Sequence, residues 1–200
     1  ITPHRGYDGP TRDTPWPNLP LRQTRSAGGQ ASHRCRARSN AWIDAMNKKL
    51  LSERDICSKF ITPAVKQAGW DELAQISEEV GFTKGRILVR GKLVTRGKAK
   101  RADYILYYKP NIPIALIEAK DNNHSAGDGM QQALEYAATL NIPFVFSSNG
   151  DGFVFHDRTG TSTPRETNLP LDAFPSPADL WARYRVWKGL TPDAERIVLQ

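Results

Sequence analysis

Three charged residues lie at the ends of two consecutive apolar segments, where their types and spacing could support hydrolysis. Asp103 begins the first segment, and Glu118 and Lys120 end the second. Strand side chains alternate with a period of two, so Glu118 and Lys120 point the same way, and a turn at 109–111 would fold Asp103 back beside them. Carboxylate oxygens suit Mg²⁺, and a lysine can orient a water near a phosphate. The chemistry indicated is metal-assisted phosphodiester hydrolysis.

The alternative for these residues is an ordinary ion pair of solvated charges at a strand end. The run 114–117 is apolar at every position, which is typical of a central strand covered on both faces. Charges at the end of such a strand are costly without partners. The setting therefore favours a functional site.

Length and composition indicate one soluble domain with tails. The chain has 200 residues, and no apolar run approaches the length needed to cross a bilayer. Cys35 and Cys57 show no metal-ligand spacing, and no secretory signal is visible. We expect a protein of the reducing cytoplasm.

The net charge of +7 is unevenly distributed, because residues 1–45 hold seven arginines against three aspartates. This segment is rich in Pro, Gly, Arg, Ser and Thr and has almost no periodic apolar pattern, which predicts a disordered leader. Met46 resembles a translation start, so the leader is interpreted as an upstream extension; a functional basic arm is the alternative. The folded domain is expected over 46–175.

A second basic stretch runs from Lys84 to Arg101 and contains no acidic residue. Short apolar runs on either side of Gly91 predict two strands and a turn with basic ends near Asp103. Such cations can neutralise a phosphate backbone, although a solvated edge hairpin protected by its charges is the alternative. The DNA-binding candidates are Arg86, Arg90, Lys92, Arg96, Lys98, Lys100 and Arg101.

The flanking sequence predicts the elements that hold this site. Ser52 and Asp55 form a capping pattern for a helix that ends near Gly69 and carries Glu53 at its start. Favourable placement in the helix dipole is the structural alternative for Glu53. Strands are expected at about 75–80 and 87–94, followed by the pair that contains Asp103 and Glu118.

A second helix, capped by Asp128 and ending at Leu140, places Gln132 and Tyr136 one turn apart on the same face. A buried strand at 143–147 then turns into another at 153–155. The pattern predicts an α/β fold in which helices flank a mixed sheet.

Residues 159–200 contain a predicted connection and a predicted helix. The stretch 159–175 is polar and bears prolines, which favours a surface connection. Ser176 opens a last helix, and its aromatic residues either cover this domain or meet a domain outside the chain. These aromatic residues are Trp181, Tyr184 and Trp187.

The order of these segments resembles the PD-(D/E)xK nucleases, and more closely the amino-terminal endonuclease domain of type I restriction enzyme R subunits. The matching segments are SERDICSKFITPAVKQAGW, RADYILYY, ALIEAKD, QQALEYA and PFVFSSNGDGFVFHD, within residues 46–189. Ala102 departs from the motif but leaves Asp103 in place. The resemblance implies a restriction-endonuclease-like sheet and a DNA endonuclease.

The resemblance also implies roles for individual residues. Asp103 and Glu118 resemble the metal-binding carboxylates, and Lys120 resembles the catalytic lysine. Glu53 resembles the acidic residue that the family's first helix contributes to water or metal positioning.

Gln132 and Tyr136 resemble the family's glutamine and tyrosine motif, which supports the site and the DNA strand. The implied cofactor is Mg²⁺, with Mn²⁺ able to substitute, and the implied substrate is double-stranded DNA.

The implied partners are the methylation and specificity subunits and an ATP-driven, helicase-like motor. The chain has no Gly-x-x-x-x-Gly-Lys-Ser/Thr loop, so we expect ATP to act only through a motor outside it, towards which 176–200 would lead. Two alternatives stay open: a repair or recombination nuclease of the same fold, and a catalytically weak DNA-binding or docking module.

Overall fold

The computed structural model describes residues 47–83, 86–87 and 99–200. The predicted leader at 1–45 lies outside the described residues. Of the predicted basic hairpin, a two-residue strand, Arg86–Ile87, is described. These ranges contain the whole predicted carboxylate and lysine constellation.

A seven-stranded sheet forms the centre of the domain, with the order β2-β1-β3-β4-β5-β6-β7. Strands β4 and β5 are parallel, and the other neighbours are antiparallel, so the predicted mixed sheet is confirmed. The strands are β1 (Ile76–Thr83), β2 (Arg86–Ile87), β3 (Lys100–Lys109), β4 (Ile112–Ala119), β5 (Phe144–Ser148), β6 (Gly152–Asp157) and β7 (Glu166–Pro170).

Helices cover both faces of this sheet. The short helix α1 (Glu53–Ile56) continues through a π-helical turn (Cys57–Ile61) into α2 (Thr62–Gln67). The others are α3 (Met130–Leu140), α4 (Pro177–Lys188) and α5 (Pro192–Val198). Helices α1, α2 and α4 bury apolar side chains in one cluster, and α3 buries Met130, Ala133 and Ala137 in another. The sheet core is thus covered on both faces, which makes β4 the doubly buried strand that its sequence predicts.

Two helix starts follow the predicted capping chemistry. The Ser52 hydroxyl accepts a hydrogen bond from the backbone N–H of Asp55, whose carboxylate accepts one from the Ser52 N–H. Ser176 and Asp179 make the same reciprocal pair at the start of α4. Each pair satisfies backbone donors that a helix end leaves without intrahelical partners.

The predicted cap of α3 is wrong. Its N-cap is Gly129, which makes no side-chain cap bond. The Asp128 carboxylate instead accepts hydrogen bonds from the backbone N–H and the hydroxyl of Ser125. Aspartate readily closes such local turns, and the turn beginning at Ser125 therefore competes with capping.

Strand β1 and several elements near the carboxyl end differ from prediction. The predicted connection at 159–175 contains β7, which pairs antiparallel with β6, and a 3₁₀ turn at Leu171–Ala173. Helix α4 is not the last helix, because α5 follows it. Strand β1 also extends to Thr83, beyond the predicted end near Val80.

The aromatic face of α4 covers this domain. Trp181 is buried, and its ring stacks on Tyr108 of β3 at 4.2 Å between centroids and on Tyr184 at 5.1 Å. Its indole N–H donates to the carboxylate of Glu195 in α5. Stacked rings add to the stabilisation from area burial alone. In the described part of the chain, none of the helices combines the length and apolar character required to cross a lipid bilayer.

Candidate active site

Antiparallel pairing of β3 with β4 brings Asp103 to the end of the central strand. Tyr104 lies opposite Ile117, which leaves Asp103 beside the last residues of β4. Its Oδ2 accepts a hydrogen bond of 2.7 Å from the backbone N–H of Ala119. The predicted turn therefore places Asp103 where the sequence pattern expects it.

Glu118 is the most buried charged side chain of this site. Its side chain is 2% exposed, and its Oε1 lies 3.3 Å from Nζ of Lys120. Its Oε2 is buried and accepts no hydrogen bond. A buried carboxylate oxygen without a partner is costly, and its lone pairs are free for a cation.

Burial dominates the electrostatics of the two carboxyls. It raises the pKa of Glu118 to about 8, with a further contribution from the charge of Asp103. Burial also raises the pKa of Asp103, although the hydrogen bond from Ala119 opposes the change. Two carboxyls that share a buried site disfavour each other's ionised form, so a cation between them would relieve both costs.

Lys120 carries the positive charge of the site. Burial alone would lower its pKa, but the charge of Glu118 and their hydrogen bond raise it above the ordinary lysine value. The ammonium form therefore prevails at neutral pH. The Lys120 side chain can donate hydrogen bonds and stabilise negative charge, and it is a poor proton acceptor.

Glu53, the first residue of α1, lines the cavity near Lys120. One of its carboxylate oxygens lies 4.0 Å from the Lys120 Nζ. Burial raises the pKa of Glu53, and the charge of Asp103 adds to this effect. The structure thus brings Glu53 to the cluster, and its role in water or metal positioning stays a prediction.

Gln132 and Tyr136 approach from α3 on the face that the helical spacing predicts. The amide N–H groups of Gln132 donate to Glu118 Oε1 and, at 3.0 Å, to the Tyr136 hydroxyl oxygen. The Tyr136 ring meets Phe82 edge to face at 5.1 Å, and Nζ of Lys100 lies 5.3 Å from its centroid. This network fixes the orientation of Glu118.

These side chains line an open cavity of about 720 Å³. It is lined by all six residues predicted for catalysis and by two of the DNA-binding candidates, Lys100 and Arg101. Arg90, Lys92, Arg96 and Lys98 lie outside the described residues, and Arg86 is described only as part of β2. The other lining residues are Ala99, Asp128, Gln131 and Glu135.

The sequence reasoning missed Glu135, which lines this cavity and pairs with Lys100 at 3.4 Å. Its position three residues after Gln132 is the helical signal that could have found it.

Over residues 47–83 and 99–200, no group of three or more His, Cys, Asp or Glu side chains forms a metal centre. The metal ligands predicted from the sequence are Asp103 and Glu118, and Oε2 of Glu118 is buried without a hydrogen-bond partner. This donor set fits Mg²⁺, which commonly takes one or two carboxylates and completes its shell with water and phosphate oxygens.

Comparison with known proteins identifies the family. Residues 50–163 match the family model described as "Type I restriction enzyme R protein N terminus". The chain belongs to this family. It is 47% identical over 156 residues to the type I restriction enzyme EcoAI endonuclease subunit of Escherichia coli. Homology to an endonuclease subunit confirms the resemblance predicted from the motifs.

A solved structure supports the fold of this family member. The chain is similar to the fragment structure of a putative HsdR subunit of a type I restriction enzyme from Vibrio vulnificus YJ016, with 39% identity and a TM-score of 0.60. This match covers 72% of the present chain and 27% of the V. vulnificus chain. The match to the E. coli subunit covers 78% of the present chain and 19% of that subunit. The chain thus spans less than a third of either relative.

Proposed function

We propose that this domain is a Mg²⁺-dependent DNA endonuclease that hydrolyses phosphodiester bonds as part of a type I restriction R subunit. The observation that carries the proposal is the convergence of Asp103, Glu118 and Lys120 on one cavity, with a buried oxygen of Glu118 left unpartnered. Asp103 and Glu118 would hold the ion. Bound Mg²⁺ supplies positive charge that stabilises the transition state of phosphoryl transfer.

The chain's own residues orient the reactants. The Lys120 ammonium donates a hydrogen bond to the attacking water and offsets negative charge on the phosphate. The carboxylate of Glu53, 4.0 Å from Lys120 Nζ, helps to position that ammonium. Gln132 holds Glu118 by its amide, and Tyr136 holds Gln132 in turn. Lys100 and Arg101 contribute positive charge for the DNA backbone.

The wider setting of the proposal is the restriction complex. The relative whose name includes an endonuclease subunit is about five times longer than the aligned segment, so the activity proposed here occupies one part of such a subunit. We propose double-stranded DNA as the substrate, the methylation and specificity subunits as partners, and an ATP-driven motor outside these residues. We propose a cytoplasmic location, which suits Cys57 because this residue is a free thiol in the part of the chain that the structure describes.

Plasmid cleavage tests the proposal. The 200-residue chain is incubated with supercoiled plasmid and Mg²⁺, alone and with full-length partner subunits. Asp103→Asn and Lys120→Met are each expected to abolish cutting. The matched controls are Asp172→Asn and Lys109→Met, whose side chains are exposed and outside the cavity. Cutting that survives Asp103→Asn would contradict the proposal, as would the absence of cutting by the wild-type chain under both conditions.

A further inference from the structure

Glu79 has an unusual backbone conformation at a position level with Asp103. Among the residues that the structure describes, Glu79 has a positive φ of +50° within a strand. The other described non-glycine residues with positive φ, Asn111 and Asn141, lie at a turn and at a helix end. The β1–β3 ladder pairs Glu78 with Tyr104 and Val80 with Ala102, so Glu79 falls opposite Asp103. Glutamate rarely adopts this conformation, which persists only where the surrounding structure holds it.

Two arginines meet at the Glu79 carboxylate. Nη1 of Arg54 lies 2.7 Å from its Oε1, and Nη1 of Arg101 lies 3.5 Å from its Oε2. Arg54 follows Glu53 in α1, and Arg101 lines the cavity two residues before Asp103. The group therefore joins the two elements that carry Glu53 and Asp103.

The exposure of these side chains is unlike that of a structural ion pair. The Arg54 and Arg101 side chains are 82% and 64% exposed, against 48% for Glu79. Exposed pairs of this kind contribute little to stability. Two guanidinium groups against one carboxylate leave a net charge of +1 in the free protein, which attracts a phosphodiester anion, and each planar guanidinium can donate hydrogen bonds to phosphate oxygens.

We propose that Arg54 and Arg101 form a phosphate-binding fork for the DNA backbone beside the active site, and that the Glu79 carboxylate occupies this fork until a phosphate displaces it. The inference rests on the proposed function and deepens it by adding Arg54 as a DNA-binding residue. Glu79 keeps the two guanidinium groups aimed at one point, and its carboxylate competes with the phosphate for them. The fork is a contact for the backbone and carries no base recognition.

Binding of a 30-base-pair duplex in EDTA, measured by fluorescence anisotropy over a range of salt concentrations, tests the fork without cleavage. Arg54→Ala and Arg101→Ala are each expected to weaken binding and to reduce the salt slope by about one. Glu79→Gln is expected to tighten binding, and to lose this effect in the Arg54→Ala/Arg101→Ala chain. Arg196→Ala and Asp193→Asn, from an exposed pair in α5, are the controls.

Several outcomes of the binding measurement would overturn the proposed fork. Arginine variants that bind as the Arg196→Ala control does would overturn the fork. So would a Glu79→Gln chain that binds more weakly than wild type, or one that tightens binding equally without the arginines. Circular dichroism verifies that every variant is folded.

The two proposals fail separately. Cutting that depends on Asp103, combined with unchanged binding in the arginine variants, would overturn the fork alone. Cutting that survives Asp103→Asn, combined with the expected binding changes, would overturn the nuclease proposal and support the fork on a DNA-binding module.

Discussion

Two buried carboxylates in this domain have opposite surroundings. Asp157, at the end of β6, is fully buried and accepts hydrogen bonds from the N–H of Thr159 at 2.8 Å and from the hydroxyls of Thr159, Thr161 and Ser162 at 2.5, 3.3 and 2.5 Å. Glu118 is 2% exposed, yet one of its oxygens accepts no hydrogen bond. The two side chains are almost equally buried, but they differ in the number of hydrogen-bond donors that their carboxylate oxygens meet.

The difference separates a structural carboxylate from a ligand. Asp157 organises the turn between β6 and β7, and Ser162 in that turn accepts a further bond of 3.0 Å from Arg183 of α4. Its lone pairs are used within the protein. One oxygen of Glu118 keeps its lone pairs unused, beside a second carboxyl and a lysine. An unpartnered buried oxygen destabilises the fold, but it can bind a cation.

The largest expected effect is on cleavage. Replacing Glu118 with Gln keeps the size of the side chain but removes a charged ligand, so we expect the cleavage rate to fall at least about 100-fold. Asp157→Asn should leave the rate per folded molecule near that of wild type. Plasmid cleavage by the two variants under one Mg²⁺ concentration checks the contrast. Equal losses in both would refute the division of roles.

The free energy of unfolding should change in the reverse order, with the larger loss in Asp157→Asn. Asp157→Asn loses charge-assisted hydrogen bonds, and we expect the free energy of unfolding to fall by about 2 kcal/mol. Glu118→Gln removes a poorly solvated ionisable group and should keep or increase the stability of the metal-free chain. Urea unfolding measures both. A Glu118→Gln chain that is the less stable of the two at pH 8 would contradict this prediction.

The pH dependence of stability gives a finer test. The pKa of Glu118 is raised from 4.5 to about 8, so the folded chain binds more protons than the unfolded chain between these values. The stabilisation from this carboxyl is complete below about pH 4.5 and is lost as the pH rises through 8.

Urea midpoints of wild type and Glu118→Gln, compared from pH 5 to pH 9 without metal, check the sign. The wild type should lose stability relative to the variant as the pH rises. Mg²⁺ requires the ionised carboxylate, so its stabilising effect on the wild type should grow over the same range. A flat difference between the two chains would exclude a raised Glu118 pKa.

The smallest expected effect on stability and cleavage comes from adding a methyl group beside Glu118, at Gly129. A Cβ added at Gly129 would lie 2.7 Å from Oγ of Ser147 and 3.1 Å from Cγ of Glu118. We expect Gly129→Ala to lower the free energy of unfolding by about 1 kcal/mol and to reduce cleavage by moving the Glu118 carboxylate. Gly81→Ala is the control, because a Cβ there meets no atom within 4 Å. Equal behaviour of the two variants would show that Glu118 tolerates the shift.

The order of the main elements and the positions of the candidate site residues could be predicted because local chemistry and long-range packing agree. Ser52 caps α1 by the bonds that its sequence context predicts, and the apolar run 114–117 forms the central strand. Period-two alternation places Glu118 and Lys120 together, and the helical period places Gln132 beside Tyr136.

The errors arise where tertiary contacts outweigh weak local signals. Strand β7 is polar, half-buried at alternate residues and paired on one side, so its sequence resembles a connection. Asp128 has the residue type of a helix cap but closes a turn with Ser125 instead.

The cluster around Glu79 depends on three separate segments of the chain. Glu79, Arg54 and Arg101 are charged residues of ordinary types, and their spacing along the sequence gives no periodic signal. Their proximity results from the pairing of β1 with β3 and from the position of α1 beside that pair. Such a convergence requires the folded structure.

The π-helical turn between α1 and α2 makes the length of this segment as consequential as its composition. The backbone N–H of Thr62 bonds to the carbonyl of Cys57, five residues earlier, so the turn contains one residue more than an α-helical turn. Each residue advances an α-helix by about 100°. Deleting one residue from Cys57–Ile61 would therefore rotate Glu53 away from Lys120 or turn Ile61 out of the core. Correct alignment of distant relatives across this segment should accordingly preserve its residue count before it matches side chains.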